Sequence, residues 1–142
     1  MQEKKQELTR NISILSNRVR RKLDDLSIRG EYTSTQGKIL FFLLANEDTD
    51  IFQKDIEEQY GVRPPSATEL LKKMEANGLI TRDRVSYDAR LKKIVVTEKA
   101  KAYRKQVFEE CENYENEVTD GLSEDEIDVF NKLLGKIIKN LK

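Results

Sequence analysis

The 142-residue chain has no histidine, one cysteine, two prolines and six glycines. Without histidine it lacks the side chain that titrates near neutral pH and a common metal ligand. Cys111 alone cannot close an internal disulfide, and the chain cannot supply a thiolate-rich metal cluster. HExxH, CxxC and GxGxxG are all absent. Glu109, Glu110 and Glu112 surround Cys111, and their charge disfavours a thiolate rather than activating one. No enzyme, cofactor or bound metal is therefore expected. So few prolines and glycines leave little room for long irregular loops. No apolar run approaches the roughly 20 residues that span a bilayer. The first residues, MQEKKQELTR, lack the apolar core of a signal peptide. A cytoplasmic protein without membrane contact is the expectation.

The chain does have charge, and it is segregated. Charged residues make up 37% of the sequence and the net charge is zero. Residues 61–105 nevertheless carry 12 Lys/Arg against 5 Asp/Glu, while residues 106–131 carry none against 10. A neutral protein with such a basic segment still offers a polyanion a focused positive surface. The apolar content, also 37%, suffices for one domain with a real core.

Periodicity predicts a mainly α chain. Leu8, Ile12, Leu15, Val19, Leu23 and Leu26 recur at three- and four-residue spacing over a first helix at 5–29, which Gly30 ends. Thr33 and Gln36 have capping-box spacing before a largely apolar core helix. Residues 52–60 form a short helix closed by Gly61. Pro64 and Pro65 then start another, where unpaired amides cost nothing, and Gly78 stops it. Ala67, Leu70, Leu71 and Met74 mark that helix's buried stripe. Leu79–Val85 and residues 92–97 read as two antiparallel strands, with Asp88 shaping the loop SYDAR. Thr97 caps a long helix over roughly 98–118, and a second box, Ser123 with Glu126, opens a last helix reaching Asn140.

Two surfaces suit duplex DNA. On the helix from Pro64, the residues Pro65, Glu69 and Lys72 point outward, flanked by Ser66, Thr68 and Lys73. Ser66 and Thr68 suit base or phosphate contacts, Glu69 would accept from a cytosine amino group, and Arg63 and Lys72 suit phosphates. Free amides at the helix start add attraction for a phosphate. An acid facing a polyanion needs a base donor or a neighbouring cation as its partner. On the hairpin, Arg82 and Arg84 alternate along one strand, and Arg90, Lys92 and Lys93 add charge near the tip. Such a basic wing suits the minor groove, with Asp88 orienting Arg90.

The segments LLKKMEANGLITR at 70–82, DAR at 88–90 and IVVTEKA at 94–100 resemble the MarR family of winged helix-turn-helix regulators. The resemblance covers nearly the whole chain, as a single domain over 1–142. It implies a DNA-binding lobe at 33–97 with a two-stranded β wing, and dimerisation helices at 5–29 and 98–141. By matching position, the recognition helix is 64–77, the wing is 84–93 and Arg90 is its tip arginine. It further implies a homodimeric repressor on double-stranded operator DNA, weakened by a small aromatic or lipophilic effector. Position 69, often basic or neutral in the family, is Glu here, so the operator sequence is not carried over. Cys111 lies far along a later helix, away from the position of the family's thiol sensors.

The residues argue for a dimer by themselves. Leu8, Ile12, Leu15, Val19 and Leu23, with Ile127, Phe130, Leu134, Ile137, Ile138 and Leu141, would expose large apolar stripes on a monomer. Tyr32 and Phe41 are candidates to line an effector pocket. The competing reading is a winged-helix module that binds a partner protein without touching DNA.

Overall fold

The computed structural model describes residues 1–26 and 32–141, with the side chains of Asp25 and Leu26 excepted. Its order is α1 (Gln2–Leu26), α2 (Ser34–Ala45), α3 (Gln53–Tyr60), α4 (Pro64–Ala76), β1 (Ile80–Val85), β2 (Asp88–Val96), α5 (Glu98–Lys101), α6 (Arg104–Val118) and α7 (Glu124–Asn140). The first helix starts three residues earlier than its periodicity predicts. Residues 27–29 and the stop at Gly30 lie outside the described residues.

Local rules account for most of these boundaries. The Thr33 hydroxyl accepts from Gln36 N–H and the Gln36 side chain accepts from Thr33 N–H, each at 3.1 Å, so the expected box opens α2. The Ser123–Glu126 box opens α7 in the same way, at 3.2 and 2.9 Å. Asp55 accepts from Phe52 N–H at 2.8 Å and starts α3. Gly61 and Gly78 end α3 and α4 with φ of 63° and 74°, a left-handed conformation in which any side chain is strained. After Gly78, Leu79 N–H returns to Met74 C=O at 3.0 Å and directs the chain into β1.

The chain divides into two compact units, Met1–Val107 and Phe108–Lys142, with the boundary inside α6. In the first unit, Ile39, Leu40, Leu43 and Leu44 of α2 meet Ile56 of α3 and Ala67, Leu71 and Met74 of α4 in the core. Leu79, Ile80, Ile94, Val96 and Val107 complete it. Leu70 sits only half-buried, because α4 turns the narrower Ala67–Leu71–Met74 face inward. Gly37 is needed against Tyr32, whose ring would lie 3.0 Å from an added Cβ. That ring packs edge-on against Tyr103 with centroids 5.5 Å apart.

The helix expected over 98–118 is broken in two. Thr97 caps α5 through Ala100 N–H at 3.1 Å, and Tyr103 N–H closes a tight turn onto Ala100 C=O at 3.0 Å. The turn brings Tyr103 onto Tyr32 and lets Arg104 pair with Glu47 and reach the Leu44 carbonyl. These partners are distant in sequence, so the break has no local signal. In the second unit, α7 buries none of its described residues. Along α1, Leu8 and Leu15 are exposed and Ile12, Val19 and Leu23 are half-buried.

Leu71 is 0% exposed in the middle of the α4 stripe. Leu71→Ala should lower unfolding free energy by about 2–5 kcal/mol, measured by urea denaturation with an unchanged denaturant slope. A loss under about 1 kcal/mol would place α4 outside the cooperative core.

Candidate nucleic-acid interface

The exposed side of α4 carries most of the residues that the helical wheel assigns to it. Arg63, Pro65, Ser66, Glu69, Lys72 and Lys73 are exposed, and Pro65, Ser66, Glu69, Leu70 and Lys73 line one shallow groove. Pro64 and Pro65 have no amide hydrogen, and Ala67 N–H already donates to Arg63 C=O at 3.0 Å. Ser66 N–H is therefore left without a helical carbonyl acceptor in this first turn. Thr68 is half-buried and its hydroxyl donates to Pro64 C=O at 2.9 Å. It also accepts from Gln53 Nε2 at 2.9 Å, so the hydroxyl is engaged within the lobe. Nothing local in the sequence marks Gln53, whose partner Thr68 lies 15 residues away. It bridges α3 and α4, reaching Glu57 as well at 3.0 Å. Glu69 forms no ion pair among the described residues.

The wing is tighter than expected. Ser86 and Tyr87 alone make the turn, and Asp88, Ala89 and Arg90 already belong to β2. Register pairs Ile80 with Val96, Arg82 with Ile94 and Arg84 with Lys92, and shifts between Arg84 and Val85. Arg82 and Arg84 do share a face, but at the ribbon's base that face covers the core. Arg82 is half-buried opposite buried Ile94, whereas Arg84 and Lys92, one step further out, are exposed. Nε and one terminal nitrogen of Arg82 are buried without a hydrogen-bond partner among the described residues. Lys93 is held 3.8 Å from Asp50 on the opposite face.

At the tip, Asp88 grips Arg90 three times. Its Oδ1 accepts from Arg90 N–H at 2.9 Å and from Nε at 3.3 Å, and its Oδ2 accepts from the terminal nitrogen at 3.3 Å. The Arg90 side chain is 90% exposed all the same, so it is oriented without being hidden. The Arg90 side chain, and then its backbone amide, hold the Asp88 carboxyl below its ordinary 3.8 against a smaller desolvation effect.

An exposed helix face beside an oriented basic ribbon, both set on one small core, is the geometry of a winged helix-turn-helix lobe. In a comparison with protein families, residues 32–91 match the MarR family. This lobe is a MarR-family winged helix-turn-helix domain. Among solved structures, the chain is similar to the transcription regulator MarR from Oenococcus oeni PSU-1. Identity is 27% and the TM-score 0.84, over 93% of this chain and 98% of that one. It is also similar in fold to S. aureus MepR in its DNA complex, at 24% identity and TM-score 0.79, over 94% and 97% of the two chains. A MarR-family domain is a regulatory module and not an enzyme. Among the described residues, no group of three or more His, Cys, Asp or Glu could hold a metal ion. No described helix is long and apolar enough to cross a membrane.

Tyr32 and Phe41, the candidate effector contacts, lie in this MarR-family lobe. Tyr32 is buried against Tyr103, and Phe41 is half-buried on α2.

A lowered Asp88 value means that the pairing is complete above pH 3.8 and is lost as pH falls through the lowered folded value. The arginine pose therefore persists throughout the neutral range. In Arg90→Ala, carbon-detected NMR titration should show the Asp88 carboxyl rising toward its ordinary range. An unchanged value would mean that the Arg90 side chain does not hold it.

Proposed function

We propose that this protein is a sequence-specific double-stranded DNA-binding transcriptional regulator of the cytoplasm. It acts as a homodimeric repressor whose operator affinity falls when a small ligand binds. DNA-binding regulation in general follows from the MarR-family domain. The observation that carries the finer reading is the Asp88–Arg90 pair, which presents an oriented, solvent-exposed guanidinium on the same lobe as the α4 face. In this reading Ser66, Thr68, Glu69 and Lys72 meet base edges or phosphates in the major groove. Arg63 and Lys73 contact the backbone, and Arg84, Arg90 and Lys92 enter or border the minor groove. Arg82 and Lys93 stiffen the ribbon as well as adding charge.

Dimerisation draws support from the apolar stripes of α1 and α7, where Leu8, Leu15, Phe130 and Ile138 are exposed, and from exposed Leu141 just beyond α7. A two-fold dimer spanning 1–142 as one functional unit would offer two α4 helices to major grooves about 34 Å apart. The effector would be aromatic or lipophilic and would meet Tyr32 and Phe41. This part rests on the family resemblance and on the aromatic character of the two residues.

A footprint on the duplex upstream of the protein's own coding sequence tests the reading. Arg90→Ala should weaken binding roughly tenfold or more, while analytical ultracentrifugation still finds the dimer. Unchanged affinity in a folded dimer would remove the wing from the interface. Binding of a partner protein with no salt-sensitive duplex binding would favour the interaction-module reading. Phe130→Asp should shift the protein to monomer in sedimentation and lose operator binding. A dimer of wild-type stability would assign the interface to other residues.

A further inference from the structure

The lobe contains a second acidic hold on the wing, distant in sequence from the first. Asp50 closes the loop between α2 and α3. Its Oδ2 accepts from the Tyr87 hydroxyl at 3.2 Å, and its Oδ1 lies 3.8 Å from Lys93 Nζ. One residue on, Ile51 C=O accepts from Ile94 N–H at 2.7 Å along the edge of β2 that β1 leaves free. Tyr87 is half of the two-residue turn and 65% exposed, so little packing holds it in place. Its hydroxyl is raised above 10.0, first by desolvation, then by the hydrogen bond to Asp50 and the charges of Asp50 and Asp88. It therefore stays a hydrogen-bond donor at neutral pH.

The register shift between Arg84 and Val85 lies just below this turn. A bulge bends a ribbon and interrupts its ladder, so the tip needs support beyond the β1–β2 hydrogen bonds. Asp50 provides it at two points, one on the turn and one on β2.

We propose that Asp50 is a positioning residue for DNA binding: through Tyr87 and Lys93 it clamps the wing to the α2–α3 loop and so fixes where Arg90 meets the duplex. The two acids divide the task. Asp88 sets the guanidinium relative to its own strand, and Asp50 sets the strand relative to the lobe. The proposal rests on the DNA-binding reading above.

The sign of the effect separates positioning from bulk charge. Asp50 is an anion beside the wing, so its removal should strengthen binding to a polyanion if charge alone mattered. A clamp predicts the opposite.

The experiment uses the full-length protein and its footprinted upstream duplex. Asp50→Ala and Tyr87→Phe should each weaken binding about three- to tenfold, with melting temperature and dimer unchanged. Asp50→Asn keeps an acceptor for Tyr87 and should recover part of the loss. In an Arg90→Ala background, Asp50→Ala should have little further effect. In the free protein, backbone NMR relaxation at 86–93 should report greater mobility in Asp50→Ala. Binding equal to or tighter than wild type overturns the proposal, as does an equal loss in the Arg90→Ala background or unchanged relaxation. If Asp50→Ala fails to fold, Tyr87→Phe decides, since it removes one oxygen from an exposed side chain. Failure of wild type to bind any upstream duplex would instead sink the DNA-binding reading, and the positioning role with it; the relaxation data would still report the clamp.

Discussion

A two-stranded antiparallel ribbon is at best marginally stable alone in water, and the wing of this lobe is such a ribbon. Everything attributed to Arg90 depends on how that weakness is overcome. At the base, Ile80, Ile94 and Val96 are buried in the core, so the ribbon begins as part of the packed lobe. Thr97 ties that base to the end of α4, donating to Gly78 C=O at 2.6 Å while its backbone amide meets Leu79 C=O at 3.1 Å. Along the free edge, Ile51 supplies the missing acceptor for Ile94. A covered edge both stiffens the ribbon and denies another chain a template. The helix stop, the strand start and the wing's anchor therefore form one connected junction.

The same geometry sorts the basic residues by purpose. Strand alternation puts Arg82 and Arg84 on one side, and distance from the core then separates them. Arg82 lies opposite buried Ile94 with part of its guanidinium buried. Arg84, Arg90 and Lys92 stand clear of the lobe. A tally of cations over 82–93 treats all five as equivalent, whereas the fold exposes Arg84, Arg90 and Lys92, orients Arg90 through Asp88 and holds Lys93 against Asp50. The useful positive charge is smaller than the sequence suggests, but it is better oriented.

What could be foreseen follows this division between near and distant contacts. Both capping boxes, the two glycine stops and the proline start at 64 depend on residues within four positions of one another, and each element forms where those residues place it. The Asp88–Arg90 pair, two residues apart, was legible for the same reason. The break at Ala102–Tyr103 and the roles of Gln53 and Asp50 were not. Tyr103 turns toward Tyr32, Gln53 reaches Thr68 and Asp50 reaches Tyr87, and none of these partners is a sequence neighbour. Asp50 and Gln53 are also ordinary polar loop and helix residues by composition. Only the tertiary path brings their side chains to the two proposed DNA-contacting elements.

The last helix poses the complementary problem. α7 has a capping box, three acids in its first turn and Lys139 in its last, all of which suit the helix dipole. Such features contribute on the order of 0.3–1 kcal/mol each, whereas most of a protein helix's stability comes from tertiary packing of its apolar face. Yet no described residue of α7 is buried, and Val129, Phe130, Leu133 and Ile138 are all exposed. Local chemistry specifies the helix but does not supply the packing that normally stabilises one. On the proposed reading, a second copy supplies it. The protein's folding and its spacing of two recognition helices would then draw on the same buried apolar surface. Loss of that surface would remove operator binding without altering a single residue of the wing.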